Sequence, residues 1–198
     1  MDALTHAVEA YLCWTCNTRQ TLCYEFEAVR AIFANIEKVY ANGNDIEARQ
    51  AMLDASYKAG FSFTRTGVGN IHAIAHTLGG LYNTPHGLAN AVILPRVLDD
   101  YGKKVHRKLA RLAICAGLVP SDGVQSDMEK ARIFIDAVYA MNRRMGIPAE
   151  FDFIKDEDIP QMAKWAAAES NPIYPVPVVF NRKRFRSVIQ TIRTSAAK

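Results

Sequence analysis

Residues 19–40 read RQTLCYEFEAVRAIFANIEKVY, and the spacing of their apolar side chains decides the fold class. Leu22, Phe26, Val29, Ile32, Phe33, Ile36, Val39 and Tyr40 recur in steps of three and four, which lays one stripe along a long amphipathic helix. Asn42-Gly43-Asn44 stops it, with Gly43 as the C′ residue and Asn44 or Asp45 capping the next helix, predicted from Ile46 to about Ser62.

The same period returns further along the chain. Val105, Leu109, Leu112 and Ala116 predict a helix from about Tyr101 to Gly117. Ala131, Phe134, Ile135, Val138 and Met141 predict another from about Val124 to Met145, closed by Gly146-Ile147-Pro148. Asp156 to Glu169 reads as a short helix and Asn181 to Thr194 as a terminal one. The prolines of Asn171-Pro-Ile-Tyr-Pro-Val-Pro177 require an extended segment between them. The first 84 residues hold no proline, and no run alternates with period two. These patterns predict an all-α domain of roughly eight helices spanning residues 1–198.

Composition narrows the class. The 198 residues are 49% hydrophobic and 22% charged, as in ordinary globular proteins, and the apolar runs are too short for a membrane span. A Met-Asp start without a basic segment does not read as a signal peptide. Four cysteines without a secretion signal then point to reduced thiols and a cytoplasmic location. The net charge of +4 calls for neither a nucleic acid nor a membrane partner.

The five histidines are distributed unevenly. Asp2 and His6 stand at i and i+4, so a helix there puts both within reach of one ion. His72 and His76 have the same spacing, and His86 follows in Tyr82-Asn-Thr-Pro-His86-Gly87, where Pro85 ends any preceding helix. Six of the eleven glycines also lie between residues 60 and 87. One carboxylate with three or four imidazoles suits Fe(II), Zn(II) or a similar ion. Taken singly, Asp2 reads as an N-cap and His6 as a surface residue; it is the concentration that points to a metal site.

Other motifs carry less. Cys13-Trp-Thr-Cys16 has neither a βαβ context nor a second cysteine pair, so it reads as ordinary thiols. Gly67-Val-Gly69 lacks a preceding strand and a third glycine, which rejects a dinucleotide fingerprint. Arg182-Lys-Arg-Phe-Arg186 reads as a solvated helix face, and His106 sits among solvated charges.

Met1-Asp-Ala-Leu-Thr-His-Ala-Val-Glu-Ala-Tyr11 and His72-Ala-Ile-Ala-His-Thr-Leu-Gly-Gly-Leu-Tyr-Asn-Thr-Pro-His-Gly-Leu-Ala-Asn-Ala91 resemble the two signature segments of the iron-containing (group III) alcohol dehydrogenases. Glu169-Ser-Asn-Pro-Ile-Tyr-Pro-Val-Pro177 resembles the family's C-terminal region. The resemblance implies the helical, metal-holding C-terminal domain of a dehydroquinate synthase-like fold, with the N-terminal α/β nucleotide domain absent. It implies Asp2, His6, His72 and His86 as metal ligands. His76 is then a neighbour of the nicotinamide and substrate that takes part in proton transfer.

The implied cofactors are Fe(II) or Zn(II), and NAD or NADP in the complete two-domain enzyme. The implied reaction interconverts an alcohol and an aldehyde or ketone, with the isolated chain inactive or nearly so. The implied partners are the small substrate, a nucleotide-binding domain and further copies of the chain. A metal-dependent hydrolase or oxygenase, and a non-catalytic helical remnant, are the competing readings.

Overall fold

The computed structural model describes residues 1–194; the remainder of the expected domain, 195–198, lies outside the described residues. Among those described, the chain forms nine α-helices and no β-strand. They are α1 (Asp2–Leu12), α2 (Arg19–Ala41), α3 (Ile46–Thr66), α4 (Asn70–Tyr82), α5 (His86–Tyr101), α6 (His106–Cys115), α7 (Asp127–Arg144), α8 (Ile159–Ser170) and α9 (Arg182–Thr191). A 3-10 turn covers Gly102–Lys104, and Phe151 makes one isolated parallel bridge to Arg193. The expected all-α class is the one observed. No helix among the described residues is long and apolar enough to cross a membrane.

Local chemistry sets the helix ends. Asp45 takes the capping role expected of it or Asn44, its Oδ1 accepting from Ala48 N at 3.0 Å. Ser126 and Glu129 form a capping box that starts α7 at Asp127 rather than Val124. Gly146, at φ +69°, closes α7 as expected. Gly43 follows α2 without the positive φ of a left-handed cap. The helix expected from Tyr101 is broken at Gly102 (φ +54°), so Tyr101 ends α5 and α6 begins at His106. The expected extended segment at Asn171 opens instead as a turn, with Tyr174 N donating to Ser170 O at 2.9 Å and Asn171-Pro172 cis. The basic run on α9 is not wholly solvated either, because Arg184 donates to Asp100 O at 2.7 Å and lies over the Phe180 ring.

α2 packs along α3, α6 along α7, and α4 against α5 and α8. α1 is wedged against α2, α3 and α5 and buries Leu4, Ala7, Val8 and Leu12 completely or nearly so. Each such leucine or valine contributes about 1.5–3 kcal/mol relative to exposure. The C-terminal end of α1 carries a negative dipole that needs donors. Lys108 Nζ supplies them to Tyr11 O (2.8 Å) and Cys13 O (3.0 Å), and Asn17 Nδ2 bonds Ala10 O at 3.1 Å.

Pro95 inside α5 has no N–H for the carbonyl of Ala91. Asn142 Nδ2 of α7 replaces it, bonding Ala91 O at 2.6 Å. A residue that breaks the helix pattern is thus tolerated because the neighbouring helix provides the lost donor.

Glu25 of α2 is fully buried, and neither carboxylate oxygen has a partner. Burial pushes its pKa up to about 8, only partly offset by Lys108. Between its ordinary value of 4.5 and about 8, the folded protein holds a proton that the unfolded chain releases. The contribution of Glu25 to stability therefore falls as pH rises through that window. Glu25→Gln should remove this dependence, raising Tm over wild type most at pH 8 and not at all near pH 4.5. Calorimetry at the two pH values checks it.

Candidate metal centre

Asp2 and His6 project from one face of α1, His72 from the first turn of α4, and His86 from the first residue of α5. The α4–α5 connection is short because Asn83 takes a left-handed conformation (φ +52°), a state asparagine tolerates better than most residues. Pro85 then caps α5, which returns His86 to the side of His72. One ligand-type atom from each of Asp2, His6, His72 and His86 lies within 4.8 Å of every other. Asp2 Oδ1 is 3.7 Å from His72 Nε2 and 3.5 Å from His86 Nε2, and Asp2 Oδ2 is 3.9 Å from His6 Nδ1.

His76 stands outside this cluster. Its ring stacks on His86 at 5.3 Å between centroids, and its Nδ1 lies 2.6 Å from Glu169 Oε1. Tyr174 donates its hydroxyl to the same oxygen at 2.7 Å. His106, at the start of α6, is not among the four clustered residues, and all four cysteines are free.

Three further residues complete the surroundings, and sequence reasoning passed over each. Phe63 of α3 stacks on His6 at 4.1 Å, and His6 stacks on His72 at 4.6 Å, so the His6 ring is sandwiched. Asn90 of α5 is fully buried; its Nδ2 donates to Asp2 Oδ1 at 2.6 Å and lies 3.1 Å from both His72 Nε2 and His86 Nε2. Glu9, on α1, lies behind His72 with its Oε2 2.6 Å from Nδ1. Glu9 falls at i+7 from Asp2, on the same helical stripe as Asp2 and His6. That spacing was the signal that could have found it.

The charges are graded. Burial alone would raise Asp2, but the His72 imidazole 3.7 Å away, the Asn90 hydrogen bond and the other nearby imidazoles hold it well below the usual carboxylate range. Desolvation lowers His6 to about 4, against a weaker pull from Asp2, and burial also lowers His86. Burial opposes a charge on His72, yet the nearby Asp2 carboxylate and the hydrogen bond to Glu9 push its pKa up to about 9. Asp2 and Glu9 thus favour a positive charge between them.

This focus fits a divalent cation. Three acceptor atoms share the two hydrogens of one amide, and Asn90 Oδ1 beside them is buried without a partner. One hard carboxylate oxygen with imidazole nitrogens is the donor set that Fe(II) and Zn(II) accept.

A sequence profile described as "Fe-containing alcohol dehydrogenase family, C-terminal" matches residues 1–193. A 1,3-propanediol dehydrogenase of Citrobacter freundii is 40% identical over 173 residues, covering 86% of this chain and 44% of that protein. Lactaldehyde reductase of Escherichia coli K12 is 35% identical over 175 residues, covering 84% and 43%. A crystal structure of a 1,3-propanediol oxidoreductase superposes with a TM-score of 0.89 at 34% identity, over 96% of this chain and 49% of that one. The chain therefore spans about half the length of these relatives.

Gly69, just before α4, has no room for a side chain, since a Cβ there would lie 2.6 Å from Glu9 Oε1. Gly69→Ala should displace the carboxylate and lower stability by about 1–3 kcal/mol, measurable by urea denaturation.

Proposed function

The chain belongs to the iron-containing alcohol dehydrogenase family, whose C-terminal part it matches, and we propose that it holds the catalytic metal of an enzyme interconverting small alcohols and aldehydes or ketones. The convergence of Asp2, His6, His72 and His86 within 4.8 Å carries this reading. The printed names of the relatives, 1,3-propanediol dehydrogenase and lactaldehyde reductase among them, support the substrate class. A relative named NAD-dependent methanol dehydrogenase supports the nicotinamide cofactor. Because the chain spans half of these proteins, the activity is proposed for these residues facing a nucleotide-binding domain.

Bound Fe(II) or Zn(II) would polarise the alcohol or carbonyl oxygen as a Lewis acid, while NAD or NADP would carry the hydride. The chain's own residues do the rest. Asp2 supplies the negative charge, and its lowered pKa keeps it ionised. His6 and His86, with lowered pKa values, are neutral at physiological pH and offer lone pairs rather than protons. We assign to His76 the transfer of a proton between the reacting oxygen and water. Glu169 occupies its Nδ1, so Nε2 is the atom that accepts or gives the proton. Tyr174 fixes Glu169 in turn, and the partial exposure of His76 gives the proton a route to solvent.

Metal analysis after anaerobic loading with Fe(II) or Zn(II) and desalting tests the centre. One equivalent is expected for wild type, and its loss is expected in His72→Ala and His86→Ala. A folded wild-type protein that retains no metal would overturn the reading. His76→Ala should keep the metal. Supplied with a nucleotide-binding domain, it should slow NAD(P)H-dependent aldehyde reduction by about 10²–10⁴-fold.

A further inference from the structure

We propose that Glu9 is a positioning residue of the metal centre, fixing through His72 which ring nitrogen is presented to the ion; the proposal rests on the metal reading above. Glu9 is almost fully buried on α1, with its carboxylate against the first turn of α4. Its Oε2 is 2.6 Å from His72 Nδ1 and accepts from Gly69 N at 2.9 Å, while Oε1 accepts from Ile71 N at 2.8 Å. Those three donors engage both oxygens, and Glu9 is not among the four clustered side chains. Its action on an ion therefore passes through the imidazole.

The ring is read from both ends. Nδ1 faces a carboxylate, which accepts only. Nε2 faces the Asn90 amide nitrogen, which donates only, at 3.1 Å. Both contacts give neutral His72 the same tautomer, with its proton on Nδ1 and its lone pair on Nε2. Nε2 is the nitrogen that points to Asp2 and to the focus of the cluster. The opposite tautomer would set a lone pair against the carboxylate and an N–H against the ion.

Capping alone would explain the amide contacts, because a carboxylate at a helix N-terminus satisfies free N–H groups and the dipole. It does not explain the 2.6 Å contact to the ring. A carboxylate behind a ligating histidine orients the ring and raises the basicity of its other nitrogen, and losing one typically weakens metal binding 10–100-fold.

The test measures Zn(II) affinity by competition with a chromophoric chelator, together with the His72 Nδ1–H resonance of the ¹⁵N-labelled, Zn-loaded protein. Wild type should bind Zn(II) and show a downfield, slowly exchanging Nδ1–H. Glu9→Gln should keep its helical circular dichroism, raise Kd about 10–100-fold and lose or shift that resonance. Ser170→Ala serves as a structural control. It removes the bond from Ser170 Oγ to Asn70 Oδ1 at the start of α4, and should lower Tm while leaving Kd unchanged.

A folded Glu9→Gln protein with wild-type affinity would overturn the role of Glu9 and leave the metal centre standing. A wild type that binds no Zn(II) would overturn both. Should Glu9→Gln fail to fold, the wild-type resonance decides: a hydrogen-bonded Nδ1–H on Zn-loaded His72 supports the proposal, and its absence overturns it.

Discussion

A carboxylate taken out of water must recover inside the protein the hydrogen bonds it has lost, and Glu9 does so where α1 meets α4. Its three donors come from Gly69, Ile71 and His72, so one side chain fixes the start of α4 and the angle of an imidazole together. Separate contacts hold the helices on either side of it. α1 is held at the same C-terminal end by Lys108 and Asn17, and Asp2 and His6 lie one to two turns back along it. α5 is held by Asn142 at the carbonyl that Pro95 leaves free, and this sets the depth at which Asn90 and His86 arrive.

Opposite demands are met within a few ångströms. His6, closed between Phe63 and His72, is dried until a positive charge on it is strongly disfavoured. His72, buried more deeply still, stands between two carboxylates that favour such a charge. The difference lies in the neighbours rather than in depth, because low surrounding polarity strengthens attraction to Asp2 and Glu9 as much as it penalises the bare ion. His76 belongs to a separate pairing with Glu169, outside the four-residue cluster.

Much of the helical architecture was legible because amphipathic period and cap chemistry are local. The α2 stripe, the Asp45 cap and the Gly146 stop are all written within a turn or two of where they act. The misread boundaries have equally physical causes. Gly102 breaks a pattern whose apolar spacing runs on, and Ser126 with Glu129 starts α7 later than its hydrophobic residues suggest. Within the site, the i, i+4 pairs announced a clustered chemistry. Glu9 shares their stripe at i+7 from Asp2, yet a lone glutamate there reads as surface, and Phe63 and Asn90 read as core and neutral filler. Only tertiary burial shows what each one touches. Glu169 is harder still, since its partner lies 93 residues away.

The bond from Asn90 to Asp2 joins positions 88 residues apart, and His72 and Glu9 are separated by 63. Contacts of this kind are made after the chain has closed long loops, and the entropy of that closure slows their formation relative to local helix turns. Helical turns need no such closure, whereas the convergence of Asp2 with His72 and His86 does. An ion that recognises only the converged arrangement stabilises the native state by mass action. If the proposed centre takes up its ion, cation supply would join temperature and pH in setting how much of the chain is folded.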